Sequence, residues 1–199
     1  MRNRALHQDT ARQLQDTELA QILLGSAASA MLLRRTGSVM RAMRDALQGH
    51  GPSQRRLVAA MELARRCALA QLTDRQRLSS PAAVRDYLVQ HYNGLAYETF
   101  LAIYLDSQHG VLAVDEAFRG TLTQTSVYPR EIARRALEVG AAGAIFSHQH
   151  PSGVETPSEA DRVLTRELQK ALRVLDITVI DHIIVAGPRS VSFAELGML

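Results

Sequence analysis

From residue 99 onward, short apolar runs alternate with amphipathic helical stretches, and that alternation restricts this part of the chain to an α/β fold. Thr99 to Leu105 and Val111 to Phe118 read as strands across a turn at Asp106 to Gly110. Pro129 opens a helix through Val139, because proline suits a helix's first turn. Gly143 to Ser147 is a short apolar strand, and the loop His148 to Thr156 follows it. Pro157 or Ser158 then starts a helix reaching about Leu175. Ile177 to Val185 is a buried strand, Gly187-Pro188 turns the chain, and Val191 to Phe193 pairs back.

The front of the chain has a different period. Leu14, Leu19, Ile22 and Leu23 follow helical spacing, as do Met31, Leu32, Met40, Met43 and Leu47. Leu57, Val58, Met61, Leu63 and Ala64 form another amphipathic stretch. Gly49-His50-Gly51-Pro52-Ser53 ends one helix and opens the next, a tight helical hairpin. Residues 1–73 are therefore expected to form a small all-α domain, 74–81 a linker, and 82–199 the α/β domain, entered through a short helix near 82–92.

Charge follows the same division. Residues 1–80 hold 13 Arg against six acids, a balance of +7, while residues 81–199 hold nine Arg and Lys170 against 14 acids, a balance of −4. A basic front on a mildly acidic back suggests two modules with different partners. The single Cys67 excludes an internal disulfide or a multi-cysteine zinc site and fits a reducing compartment. The longest uncharged stretch, Leu19 to Leu33, is 15 residues. A membrane-spanning helix needs about 20, so it is expected to be a core helix. Asp9, Asp16 and Glu18 precede it where a signal peptide would be basic, so a cytoplasmic location is expected.

The sharpest chemical signal is His148-Gln149-His150-Pro151-Ser152-Gly153, followed by Pro157-Ser158-Glu159-Ala160-Asp161. Two histidines at i and i+2 on extended backbone point to the same side, so their imidazoles can converge on one ion. Gly and Pro turn the chain so that the next helix begins close by. On that helix Ser158 and Asp161 are three apart and share a face. Two His plus a carboxylate is a catalytic zinc set with a position left for water, whose pKa the metal lowers to about 7. The plainer readings are a helix cap for Ser158-x-x-Asp161 and loop histidines for His148 and His150. Asp181-His182 reads as a support for a ligand or a satisfied structural pair. No H-E-x-x-H, no deaminase P-C-x-x-C and no P-loop occurs.

His-x-His-Pro, six residues, then Ser-x-x-Asp resembles the JAMM (MPN+) metalloprotease signature, and the longer string resembles the RadC family. The matching pieces are Tyr97-Glu98-Thr99-Phe100, Arg119-Gly120-Thr121-Leu122, Val127-Tyr128-Pro129-Arg130-Glu131, His148 to Asp161, Asp181 to Val185, and Ser192-Phe193-Ala194-Glu195. The resemblance implies a JAMM/MPN-type mixed sheet flanked by helices, with Zn2+ held by His148, His150 and Asp161. It implies that Glu98 takes a proton from the zinc-bound water and delivers it to the leaving amine, and that Ser158 hydrogen-bonds the oxyanion. The substrate would be a peptide or protein, cleaved at a peptide or isopeptide bond. By residue logic alone Glu116 remains a rival to Glu98. The family's usual triplet is His-Asn-His, and Gln149 departs from it while pointing away from the metal.

The front module resembles, more weakly, the helix-hairpin-helix region of RadC proteins, with His50 in an apolar slot. Hairpin N–H groups with Arg55 and Arg56 would suit a DNA phosphate, so non-specific DNA binding is the alternative function, with the metal structural or vestigial.

Overall fold

The computed structural model describes residues 14–48, 51–73, 81–95, 97–119 and 127–199. The expected linker apart from Pro81, the hairpin residues Gly49 and His50, and Gly120-Thr121-Leu122 lie outside the described residues. The chain divides into two compact units, Met1–Leu63 and Ala64–Leu199.

The first unit contains α1 (Asp16–Leu24), α2 (Ser26–Thr36), α3 (Val39–Ala46) and the first turns of α4 (Pro52–Thr73), inside which the division falls. Its small core is Leu24, Leu32, Ala42, Ala46 and Leu57. The stretch from Leu19 to Leu33 is not the single core helix expected from its lack of charge. Gly25, at φ +84°, separates α1 from α2. Only part of the stretch faces inward: Ala20, Leu24, Ser29 and Leu32 are buried, whereas Leu19, Ile22, Leu23 and Met31 are exposed. Helix starts are capped as their residue types favour. Glu18 reaches back to the Gln15 N–H, and Ser38 accepts from the Arg41 N–H at 3.2 Å.

The second unit is built on a five-stranded mixed sheet flanked by helices. Its elements are α5 (Pro81–Tyr92), β1 (Thr99–Leu105), β2 (Val111–Arg119), α6 (Pro129–Val139), β3 (Gly143–Gln149), α7 (Glu159–Arg173), β4 (Thr178–Ala186) and β5 (Arg189–Ser192). Strand order is β2-β1-β3-β4-β5, and only β3 and β4 pair in parallel, joined through α7. β1 and β3 are buried along their whole length, whereas the edge strand β2 is partly exposed.

Side chains alternate across the strands and divide the core into two layers. Leu101, Ile103, Leu105, Ile145, Ile183 and Val185 pack with Tyr87, Leu88 and Tyr92 of α5. Phe100, Ala102, Tyr104, Ala144 and Phe146 pack on the other face with Ile132 and Ala136 of α6 and Leu168 and Leu172 of α7. The second layer positions the site. Strand β3 continues two residues beyond the expected Ser147, so His148 is a strand residue following Ala144 and Phe146 on the α7 side of the sheet. The lengthening follows from pairing on both sides: His148 stands opposite Phe100 of β1 and Ile184 of β4.

Candidate metal centre

His148, on β3, and His150, just beyond its end, place their Nε2 atoms 3.0 Å apart. Asp161, in the first turn of α7, completes the group: Oδ1 lies 3.0 Å from His148 Nε2, and Oδ2 lies 3.5 Å from His150 Nε2. The i, i+2 spacing on extended backbone brings the two rings together, and the turn through Pro151 to Gly153 brings the helix back. Gly153 supplies the positive φ, +78°, that this turn requires. Potential ligand atoms of the three residues all lie within 4.8 Å of one another.

Each histidine presents Nε2 inward because its other nitrogen is held. His150 Nδ1 donates to the Val154 carbonyl at 2.6 Å. His148 Nδ1 lies 3.0 Å from Nε2 of His182, a fully buried residue of β4. His182 Nδ1 is 2.7 Å from Thr165 Oγ1, which donates to the Asp161 carbonyl at 2.6 Å. With its proton so directed, the Thr165 hydroxyl accepts from His182 Nδ1–H, and His182 Nε2 is left to accept from His148 Nδ1–H. The chain of bonds thus runs from one candidate ligand to the backbone of another and leaves a lone pair on His148 Nε2. Phe100, Phe146 and Phe193 surround the His182 ring, with centroids 5.6, 6.4 and 4.9 Å away. That burial pushes its pKa well below the ordinary histidine value.

Asp161 and Ser158 form a reciprocal cap. The Asp161 N–H donates to Ser158 Oγ at 3.1 Å, while Ser158 N–H and Oγ–H donate to Asp161 Oδ2 at 2.7 and 2.6 Å. The plain capping reading of Ser158-x-x-Asp161 is therefore realised, and in the same geometry the carboxylate faces both histidines. Burial opposes ionisation of Asp161, but the neighbouring His148 and His150 imidazoles, with the Ser158 hydroxyl, outweigh it and hold the carboxyl well below its usual range. His150 is shifted upward, first by its hydrogen bond with Asp161, against partial burial. The Val154 carbonyl and the charges of Asp161 and Glu98 add to that rise.

Glu98 immediately precedes β1, and the antiparallel register that sets Phe100 opposite His148 carries it toward the level of His150. Glu116 is elsewhere. It pairs in register with Leu101, whose side chain lies in the α5 layer, and it accepts from Arg119 Nε at 2.8 Å. The sheet separates it from His148.

Two residues gain importance over their sequence reading. Asp181-His182 is split in purpose. Asp181 accepts from the Ala194 N–H at 3.0 Å and the Ser192 hydroxyl at 2.7 Å, fastening the segment after β5, while His182 alone reaches the centre. Thr165 was not singled out from sequence, although its position four residues after Asp161 puts it on the same helix face. Arg130 is exposed, 3.5 Å from Glu131 and over the Tyr128 ring.

Comparison with known proteins places the sheet and its flanking helices in a family. Residues 78–198 match the RadC-like JAB domain. The chain belongs to the RadC-like JAB domain family. It is 50% identical over 154 residues to a UPF0758 protein of Polaromonas sp., covering 77% of this chain and 69% of that one. With a UPF0758 protein of Thiobacillus denitrificans the identity is 55% over 143 residues, 72% of this chain and 64% of the relative. A UPF0758 protein of Methylibium petroleiphilum is 45% identical over 185 residues, 92% and 81% of the two chains. The JAB match includes every member of the candidate centre, from Glu98 to His182, and excludes most of the basic front.

Proposed function

We propose that this chain is a zinc-dependent JAMM-type hydrolase that cleaves peptide or isopeptide bonds. The observation carrying this reading is the convergence of His148 Nε2, His150 Nε2 and the Asp161 carboxylate, with both Nδ1 atoms held by hydrogen bonds. Two neutral imidazoles and one carboxylate fit zinc, which takes three such ligands in catalytic sites and keeps a fourth position open. JAB domains are often metal-dependent hydrolases and typically bind zinc. His148, His150 and Asp161 would hold the ion, which would supply Lewis acidity, lowering the pKa of water to about 7.

The chain's own residues supply the rest. Glu98, whose charge His150 senses, accepts the proton of the attacking water on its carboxylate and returns it to the departing amine. The Ser158 hydroxyl, which donates to Asp161 Oδ2 in the metal-free chain, would turn to the oxygen that becomes negative as the carbonyl is attacked once Asp161 is engaged by the metal. His182, Thr165 and the Val154 carbonyl keep the two ligand rings in their metal-accepting tautomers.

The test is zinc-dependent cleavage of a fluorogenic peptide library and a set of isopeptide-linked conjugates. Cleavage that disappears in Glu98→Gln, a variant that keeps its zinc, supports the reading. Equal cleavage by wild type and Glu98→Gln contradicts it.

A second reading rests on the first unit, where Arg34, Arg35, Arg41, Arg44, Arg55 and Arg56 are all exposed. In it the chain is a DNA-binding accessory protein, contacting phosphates without sequence preference. Affinity for duplex DNA that falls steeply with salt and vanishes on deleting residues 1–63 supports it; no binding at low salt removes it.

A further inference from the structure

The side chain between the two histidines has its own set of partners. Gln149 is buried, and neither of its polar atoms faces the metal centre. Its Oε1 accepts from the Thr99 N–H at 3.0 Å, and its Nε2 donates to the Tyr97 carbonyl. An amide side chain offers one acceptor and one donor group, and here they meet the N–H and C=O on either side of a single residue, Glu98. The backbone carrying Glu98 is thereby tied, from both sides, to the strand that carries His148 and His150.

We infer that Gln149 is a positioning residue: it clamps the peptide groups flanking Glu98 to strand β3 and so holds the Glu98 carboxylate beside the metal centre. This rests on the reading of Glu98 as the proton carrier. The clamp has a physical reason to exist. Glu98 precedes the first residue of β1, so the ladder that orders Thr99 to Leu105 does not include it. A base must stay within hydrogen-bond reach of the proton it takes, about 2.6–3.2 Å, and a segment outside the ladder needs another restraint to keep it there. Both of Gln149's bonds are buried or partly buried, where losing the partner of a polar group is costly, so the restraint is a stiff one. The amide acts through backbone atoms, so it orders residues 97–99 whatever the Glu98 side chain is doing.

The test uses full-length protein loaded with cobalt(II) and carrying 13C-labelled glutamate. A paramagnetic ion broadens and shifts the carboxyl carbons near it, so the Glu98 signal reads its distance from the centre. Glu159, two residues before Asp161, is an internal reference. The probe variant is Gln149→Met, which keeps the side chain's length and removes both hydrogen bonds. The expected result is a strong paramagnetic effect at Glu98 in the wild type, lost in Gln149→Met, with metal stoichiometry and the Glu159 signal unchanged. A Glu98 effect that persists undiminished in Gln149→Met overturns the clamp and leaves Glu98's role standing. Loss of bound metal, or an equal change at Glu159, also overturns it, since the residue would then serve strand β3 generally. No paramagnetic effect at Glu98 in the wild type overturns both the clamp and the proposed base. Should Gln149→Met not fold, the wild type still decides: a through-hydrogen-bond coupling between Thr99 15N and Gln149 13Cδ supports the clamp, and its absence refutes it.

Discussion

His148 Nδ1 and His182 Nε2 lie 3.0 Å apart, and the direction of their hydrogen bond is set two residues away, by the Thr165 hydroxyl donating to the Asp161 carbonyl. Replacing His182 by Leu removes the acceptor that keeps the His148 proton on Nδ1. Outer partners of ligand histidines typically contribute 10–100-fold to metal affinity, so His182→Leu is expected to weaken zinc binding by about that factor. Thr165→Val, which acts one bond further away, is expected to have a smaller effect in the same direction. Competition with a chromophoric chelator measures both, on variants whose circular dichroism matches the wild type. Wild-type affinity in His182→Leu would show that the buried histidine only fills the core.

Ser158→Ala removes the cap of α7 and a hydrogen bond to Asp161 Oδ2. Loss of such a cap costs about 1 kcal/mol, which for a chain of this size lowers Tm by about 2–4 °C. Zinc content is expected to stay at the wild-type level, because His148, His150 and Asp161 are untouched, while cleavage falls as the oxyanion donor is lost. Thermal melting, elemental analysis and the peptide assay read the three effects separately. An unchanged Tm would contradict the capping geometry.

The order of events along the sequence made much of this architecture legible. The bounds expected for β1, Thr99 to Leu105, and for α6, Pro129 to Val139, are those observed. A continuous apolar run and a helix-opening proline are local signals that packing reinforces. The His148, His150 and Asp161 trio was also legible, because i, i+2 on a strand and the return to a helix start are short-range geometry. What was hidden depends on distant pairing. Strand β3 extends to Gln149 because β1 and β4 flank it, and no local propensity marks those last two residues. Only strand register assigns Glu116 to the α5 face, away from His148. The apolar run after Leu19 lacks charge yet is largely exposed, because Gly25 divides it and the small core of the first unit accepts few of its side chains.

Metal uptake should be linked to protons through His150. In the metal-free protein its pKa is raised above 6.5 by the Asp161 bond. A raised folded-state pKa contributes stability that is fully present below the unfolded value and is lost as pH rises through the folded one. Zinc requires the neutral imidazole, so its apparent affinity should increase as pH rises through the same window. Below that window each zinc bound should release a proton from His150, whereas His182, kept neutral by burial, should release none. Calorimetry in two buffers of different ionisation enthalpy counts the protons. Proton release that is identical at low and high pH would contradict the assignment.

His148, His150 and Asp161 are expected to hold one zinc ion between them. Elemental mass spectrometry of purified protein, dialysed against metal-free buffer and reconstituted with zinc, measures this directly. The expected result is one zinc per chain in the wild type and background zinc in a His148→Ala, His150→Ala double variant that remains folded. Zinc content unchanged by the double substitution would contradict the claim.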